Sequence, residues 1–165
     1  MNFEHAFVKL IGHEGGLSLD PKDRGNWTTG IIGKGELKGT KYGISAMSYP
    51  HLNIQALTLD QAEDIYREDF WGQSDLIPAA VRFGFFDAAV NSGYVQSVKW
   101  LQQAAGASDD GVMGPKTLLA VRKSNPQQLA KQFNGYRLSA MTNMKAWDSQ
   151  GKGWARRIAA NLLED

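Results

Sequence analysis

With 165 residues, 42% of them hydrophobic and 21% charged, the chain is long enough for one compact globular domain and short of two full ones. A net charge of +1 gives no electrostatic reason to expect nucleic acid as a partner, and the lack of cysteine excludes disulfides, thiol nucleophiles and cysteine-based zinc sites. No apolar run reaches membrane-spanning length, so no stable membrane insertion is expected.

Phe3, Ala6, Phe7, Leu10 and Ile11 recur at helical spacing and predict a first helix of about three turns, stopped by Gly15 and Gly16. The glycine-rich stretch from 17 to 45, with short apolar pieces such as Gly30-Ile31-Ile32-Gly33 and Tyr42-Gly43-Ile44, predicts a small β-hairpin or meander with long turns. Residues 46 to 57 read as irregular. Thr58-Leu59-Asp60-Gln61 is a capping box that opens a second helix running toward Gly72. A third helix, from about Pro78 to Asn91, is apolar almost all round, the pattern of a central buried helix. A fourth spans about Val95 to Ala105, and Pro115 opens the next. A long helix is predicted from Pro126 to Trp147, then a break at Gly151 and Gly153, then a last helix to Leu163. The fold class is mainly α (α+β), a helical domain with a small β element near its start.

Glu14 stands where the first helix must stop. A carboxylate there meets the negative end of the helix dipole and apolar neighbours, both of which favour its protonated form. That is the state a general acid needs. Asp23, nine positions on, lies in the turn-rich Asp20-Pro21-Lys22-Asp23, and the two carboxylates form a possible pair for glycosidic cleavage. Either could instead be an ordinary solvated residue. Asp87 and Asn91 share one face of the apolar third helix. They either hydrogen-bond loops and hold the fold together or, with Ser92 and Tyr94, line the floor of a polar cleft. Trp27, Tyr42, Tyr49, Trp71 and Tyr94 are candidates for stacking on sugar rings, Trp27 foremost because it sits among Gly, Asn and Thr. His5, His13 and His51 show no metal-ligand spacing, so neither metal nor cofactor is implied. Lys152, Arg156 and Arg157 form a basic cluster, either a solvated helix face or an attractor for an anionic polymer such as a cell wall.

Several ordered motifs together resemble the N-acetylmuramidases of glycoside hydrolase family 108: Glu14-Gly15-Gly16, Asp20-Pro21-x-Asp23, Gly39-Thr40-Lys41-Tyr42-Gly43-Ile44-Ser45, Leu59-x-x-Ala62-x-x-Ile65-Tyr66 and Trp71. The second half, with Phe86-Asp87-x-x-Val90-Asn91-Ser92-Gly93, Leu101-Gln102, Asp110-Gly111-x-x-Gly114-Pro115-x-Thr117 and Gly153-Trp154-x-x-Arg157, resembles the predicted peptidoglycan-binding segment that follows in that family. The family is distantly similar to phage-type lysozymes, whose site is a Glu, an Asp after eight intervening residues and a Thr after five more. Glu14 and Asp23 keep that spacing, and counting on reaches Thr29, with Thr28 beside it. The lysozyme threonine is usually followed by x-x-Gly-Ile, which here belongs to Thr40. Residues 27 to 39 then read as an insertion, and the local context favours Thr40.

The resemblance implies a lysozyme-like fold, divided into a catalytic lobe over 1–72 and a helical lobe over 73–165 within one compact domain. It implies hydrolysis of the β-1,4 bond between N-acetylmuramic acid and N-acetylglucosamine. Glu14 would protonate the leaving oxygen, and Asp23 with Thr40 would hold a water. Trp27, Thr29, Tyr42, Asp87, Asn91 and Tyr94 would bind glycan. The partner implied is bacterial peptidoglycan, and a monomer is the default. The alternatives are a lytic transglycosylase, which needs no water-positioning Asp, and a non-catalytic wall-binding module. Met1-Asn2-Phe3-Glu4-His5 lacks the basic start and apolar core of a secretory signal. Synthesis in a cytoplasm is therefore expected, with access to the wall by a phage-type release or a dedicated export route.

Overall fold

Apolar residues at helical spacing form α1 (Phe3–Ile11), with Phe3, Ala6 and Phe7 buried. The computed structural model describes residues 1–11 and 16–163, and the expected acid Glu14 and its neighbour His13 lie outside them. The described elements are mainly helical, with one small antiparallel sheet, as the sequence predicts. They fall into two compact units, Phe7–Arg67 and Met1–Ala6 with Glu68–Asp165. No described helix is long and apolar enough to cross a membrane.

In the first of these units, β1 (Thr40–Lys41) pairs with β2 (Ile44–Ser45), Thr40 opposite Ser45 and Lys41 opposite Ile44. Two residues, Tyr42 and Gly43, make the turn, both with positive φ (51° and 77°). That is the requirement of the two-residue turn whose twist matches the strands. Gly43 also has no room for a side chain, because a Cβ there would land on Tyr66 Oη. Tyr66, buried in α2 (Leu59–Tyr66), uses that hydroxyl to donate 3.1 Å to the Tyr42 carbonyl, and its ring meets Phe7 edge-on at 5.4 Å. Gly43→Ala should therefore combine left-handed backbone strain with overpacking and cost about 2–4 kcal/mol in urea unfolding. Tyr66→Phe, which loses only the hydrogen bond, should cost about 1 kcal/mol. The capping box that opens α2 is complete: Gln61 N–H donates to Thr58 Oγ1 (3.2 Å) and Thr58 N–H to Gln61 Oε1 (3.0 Å).

In the other unit, α3 (Ala79–Ser92) is the central helix. Val81, Phe85 and Ala88 join a core completed by α4 (Tyr94–Ala105), α5 (Pro115–Lys123) and α6 (Pro126–Thr142) through Val98, Leu101, Val121, Leu129 and Phe133. A single residue, Gly93 at φ 88°, turns α3 into α4. Phe3, Trp71 and Phe86 pack edge-to-face at 5.4–5.9 Å in the same unit. Trp71 is thus a core residue, 2% exposed, and cannot stack on a sugar as its residue type suggested. The last helices also differ from expectation. The break falls after Thr142 rather than at the two glycines, and α7 (Trp147–Leu163) runs straight through Gly151 and Gly153. Gly151 is buried because the Trp147 indole lies where its Cβ would stand, 2.6 Å from Cδ2. The glycine serves packing there, not helix termination.

Candidate functional site

Asp23 caps a short 3-10 turn (Arg24–Asn26): its Oδ1 accepts the Gly25 N–H at 2.8 Å. The side chain is exposed, and its second oxygen has no partner among the described residues. A Cβ on Gly25 would approach Asp23 Oδ1 at 3.2 Å, so the glycine leaves the carboxylate its place. The turn is braced from beneath. The Gly25 carbonyl accepts the Met47 N–H, and the Asn26 carbonyl accepts the N–H groups of both Lys38 and Gly39. Trp27 donates its indole N–H to the Pro21 carbonyl (2.9 Å) and is half-buried, which pins the loop leading into Asp23.

Asn26 is the residue that sequence reasoning missed. It is fully buried, and its amide donates to the Asp20 carbonyl (3.0 Å) and Ser18 Oγ (3.4 Å) while its Oδ1 accepts the Thr40 hydroxyl at 2.7 Å. Thr40 also exchanges both backbone hydrogen bonds with Ser18. Thr40 and the Asp23 turn are thereby parts of one hydrogen-bonded assembly with Asn26 at its centre. The only sequence signal for this was an asparagine in a turn, an unremarked residue type in such a place.

Thr28 and Thr29 do different work. Thr28 Oγ1 accepts the Glu36 N–H (3.0 Å), and Thr29 Oγ1 donates to the Lys34 carbonyl (2.8 Å). Both shape the loop between Trp27 and Leu37, which form an isolated bridge that closes it. The loop leaves and returns beside Asn26, so Thr40 follows the Asp23 turn in space although not in sequence count. Tyr42 is committed to the hairpin turn, and Lys41 Nζ sits 5.3 Å from its ring centroid.

The residues expected on the helical side lie in the other unit. Asp87 is 1% exposed, and its carboxylate meets four donors. Arg137 Nη1 (2.7 Å) and Asn161 Nδ2 (3.2 Å) reach Oδ2, while Arg157 Nε and Asn91 Nδ2 (3.4 Å) reach Oδ1. An ionised carboxylate offers about four lone-pair sites, and all are filled. Its geometry is that of a residue holding α3, α6 and α7 together. A sugar hydroxyl would have to displace one of these partners. Arg137 is itself 1% exposed; burial pushes its guanidinium pKa down, against the pull of Asp87. Asn91 lies exposed on the last turn of α3 and donates to the Asp87 carbonyl at 2.7 Å. Tyr94 is half-buried, edge-on to Phe85 at 5.6 Å, and its hydroxyl accepts the Gln73 N–H (3.3 Å).

The Gln102 and Asp110–Thr117 motif, expected to bind wall polymer, closes on itself. Gln102, 1% exposed, shares its two amide hydrogens among Asp110 Oδ1 (2.7 Å), Thr117 Oγ1 (2.8 Å) and the Val112 carbonyl (3.1 Å). Its Oε1 accepts the Gly111 N–H at 2.9 Å. Hydrogen bonds from the Val112 backbone and then from Gln102 hold the Asp110 carboxyl below its ordinary pKa.

Compared with known proteins, residues 7–93 match the model of the family described as Glycosyl hydrolase 108. The match takes in Glu14, Asp23, Thr40, Asp87 and Asn91 and stops just short of Tyr94. Among solved structures, that of Brucella abortus SagA is similar at a TM-score of 0.81 and 31% identity, covering 98% of this chain and 92% of that one. None of the curated proteins matches the chain.

Proposed function

This chain belongs to glycosyl hydrolase family 108 and is a glycoside hydrolase, and on that premise we propose that it cleaves the β-1,4 bond between N-acetylmuramic acid and N-acetylglucosamine in bacterial peptidoglycan. The observation that carries the reading is the Asp23 assembly. One oxygen of an exposed carboxylate is tied to Gly25, the other is free of protein partners among the described residues, and the whole turn is fastened through Asn26 to Thr40. A carboxylate fixed on one side and open on the other suits the holding and activation of a water.

In this mechanism Glu14 protonates the leaving glycosidic oxygen. Asp23 takes a proton from the water that attacks the anomeric carbon on the opposite face. The water oxygen forms the new C–O bond as the glycosidic bond breaks, and the configuration inverts when the carboxyls stand about 6.5–9.5 Å apart. The Thr40 hydroxyl donates its hydrogen bond to Asn26 Oδ1, which leaves its oxygen lone pairs able to accept a hydrogen bond from that water. Digesting purified peptidoglycan and weighing the unreduced products tests the bond assignment. Reducing N-acetylmuramic acid ends are expected; reducing N-acetylglucosamine ends would make the protein a glucosaminidase, and 1,6-anhydro ends a transglycosylase.

The choice of threonine has its own test. Thr40→Val should lower kcat by about tenfold, roughly 1.4 kcal/mol of transition-state stabilisation, while Thr40→Ser keeps most of it. Thr29→Val, which removes a loop hydroxyl bonded to Lys34, should leave kcat near wild type. A larger loss at Thr29 than at Thr40 would reverse the assignment.

A further inference from the structure

The ion cluster around Asp87 is not neutral. Two guanidinium groups, Arg137 and Arg157, share one carboxylate. Arg137 is sealed inside, whereas the Arg157 side chain is 41% exposed, so the surplus positive charge reaches the surface there. It opens into a hollow of about 470 Å³ lined by Asn91, Ser149, Gln150, Gly153, Trp154 and Arg157. No carboxylate is among those lining residues. Gln150, Trp154 and Arg157 fall four and three apart along α7, so they present one face.

The bland alternative is a solvated basic helix face, and its neighbours Lys152 and Arg156, exposed on α7, fit that description. Arg157 differs from them. Its Nε is committed to a buried carboxylate, which fixes the guanidinium plane, while Nη1 and Nη2 have no partner among the described residues. A planar fork held at one end has already lost most of its rotamer freedom and matches the two oxygens of a carboxylate. Like-charge repulsion from Arg157 adds to what weighs on the buried Arg137 guanidinium, and an anion in the hollow would relieve it. Trp154, half-buried and tilted against Trp147 at 6.2 Å, supplies an apolar wall, and the Gln150 amide supplies a donor beside the fork, while the Asn91 amide is already committed to Asp87. The α7 residues lie beyond the family match.

We propose that this hollow is a carboxylate-binding subsite that receives an acidic group on the peptide stem of peptidoglycan, with Arg157 as the fork and Trp154 as the wall. The proposal rests on the peptidoglycan reading above. It gives the enzyme a hold on the stem rather than the glycan, and predicts a preference for strands whose stem carboxyls are free.

The test titrates the full chain with a soluble synthetic stem peptide bearing free carboxyls, and with the same peptide fully amidated, by calorimetry at low salt. The acid form should bind at least about tenfold tighter, a difference of about 1.4 kcal/mol, and the preference should shrink as salt rises. Arg157→Gln should abolish it. Because Arg157 also braces Asp87, Gln150→Glu serves as the second variant: Gln150 is exposed, its side chain makes no hydrogen bond among the described residues, and a carboxylate there should repel the acid peptide. Equal affinity for both peptides, binding of neither, or a preference that survives Gln150→Glu would overturn the subsite. Inorganic phosphate binding as tightly as the acid peptide would overturn the stem assignment. No bond is cut in this titration. An active muramidase without acid preference would sink the subsite alone; an acid preference in a chain that releases no sugar would sink the muramidase reading alone.

Discussion

Glu14→Gln should reduce the release of soluble muropeptides by about 100- to 10,000-fold, the range for loss of a general acid, while leaving far-UV circular dichroism and the unfolding midpoint unchanged. The substitution keeps size and hydrogen-bonding capacity and removes only the transferable proton. A sugar oxygen is a poor leaving group until it is protonated, so losing the proton donor falls directly on the rate. Asp23→Asn provides the complementary reading. It spares the Gly25 N–H bond, because an amide oxygen can still accept it, and removes the base that activates water. A hydrolase should lose activity by a similar order, whereas a transglycosylase, which uses the sugar's own hydroxyl as nucleophile, should not. Full activity in Glu14→Gln would remove the acid from the mechanism altogether.

The elements that could be read from sequence are those governed by local chemistry. The capping box at Thr58 and Gln61 and the helix opened by Pro115 declare themselves within four residues, whereas Tyr42-Gly43, which reads as an apolar strand piece, makes the two-residue turn itself. The burial of α3, which is apolar on nearly every face, is also legible. What stayed hidden depends on partners far along the chain. Asp87 meets Arg137, Arg157 and Asn161, which lie 50, 70 and 74 positions away, and no local pattern links them. Asn26 looks like any turn asparagine until Thr40, 14 positions on, is brought to its side chain. The end of α6 is hidden for a related reason. Gly151 reads as a helix breaker until the Trp147 ring is seen to need the space. Counting five residues past Asp23 reaches Thr29, which lies in the loop that the Trp27–Leu37 bridge closes, and a count cannot see that closure.

Asp87→Ala should destabilise its unit by about 3–5 kcal/mol, the cost of leaving a buried charge without its counter-ion. At this chain length that lowers the thermal midpoint by roughly 6–20 °C. The loss comes chiefly from Arg137, whose guanidinium is 1% exposed and has its Nη1 on Asp87 at 2.7 Å. Buried without a carboxylate, it must draw in water or expel itself, and either loosens α3 against α6. Arg157→Gln should cost less, about 1 kcal/mol or below, because a side chain 41% exposed recovers hydration when its partner goes. The contrast separates two roles within one cluster. The decisive variant is the double one: Asp87→Leu with Arg137→Met removes both charges and fills the space with apolar groups, and should recover much of the stability lost in Asp87→Ala. If it does, the cluster is a device for joining helices whose charge the fold can do without. If instead the folded double variant binds glycan stripped of its peptides far more weakly, with KM raised and kcat retained, Asp87 belongs with the sugar-binding groups that its place on α3 first suggested.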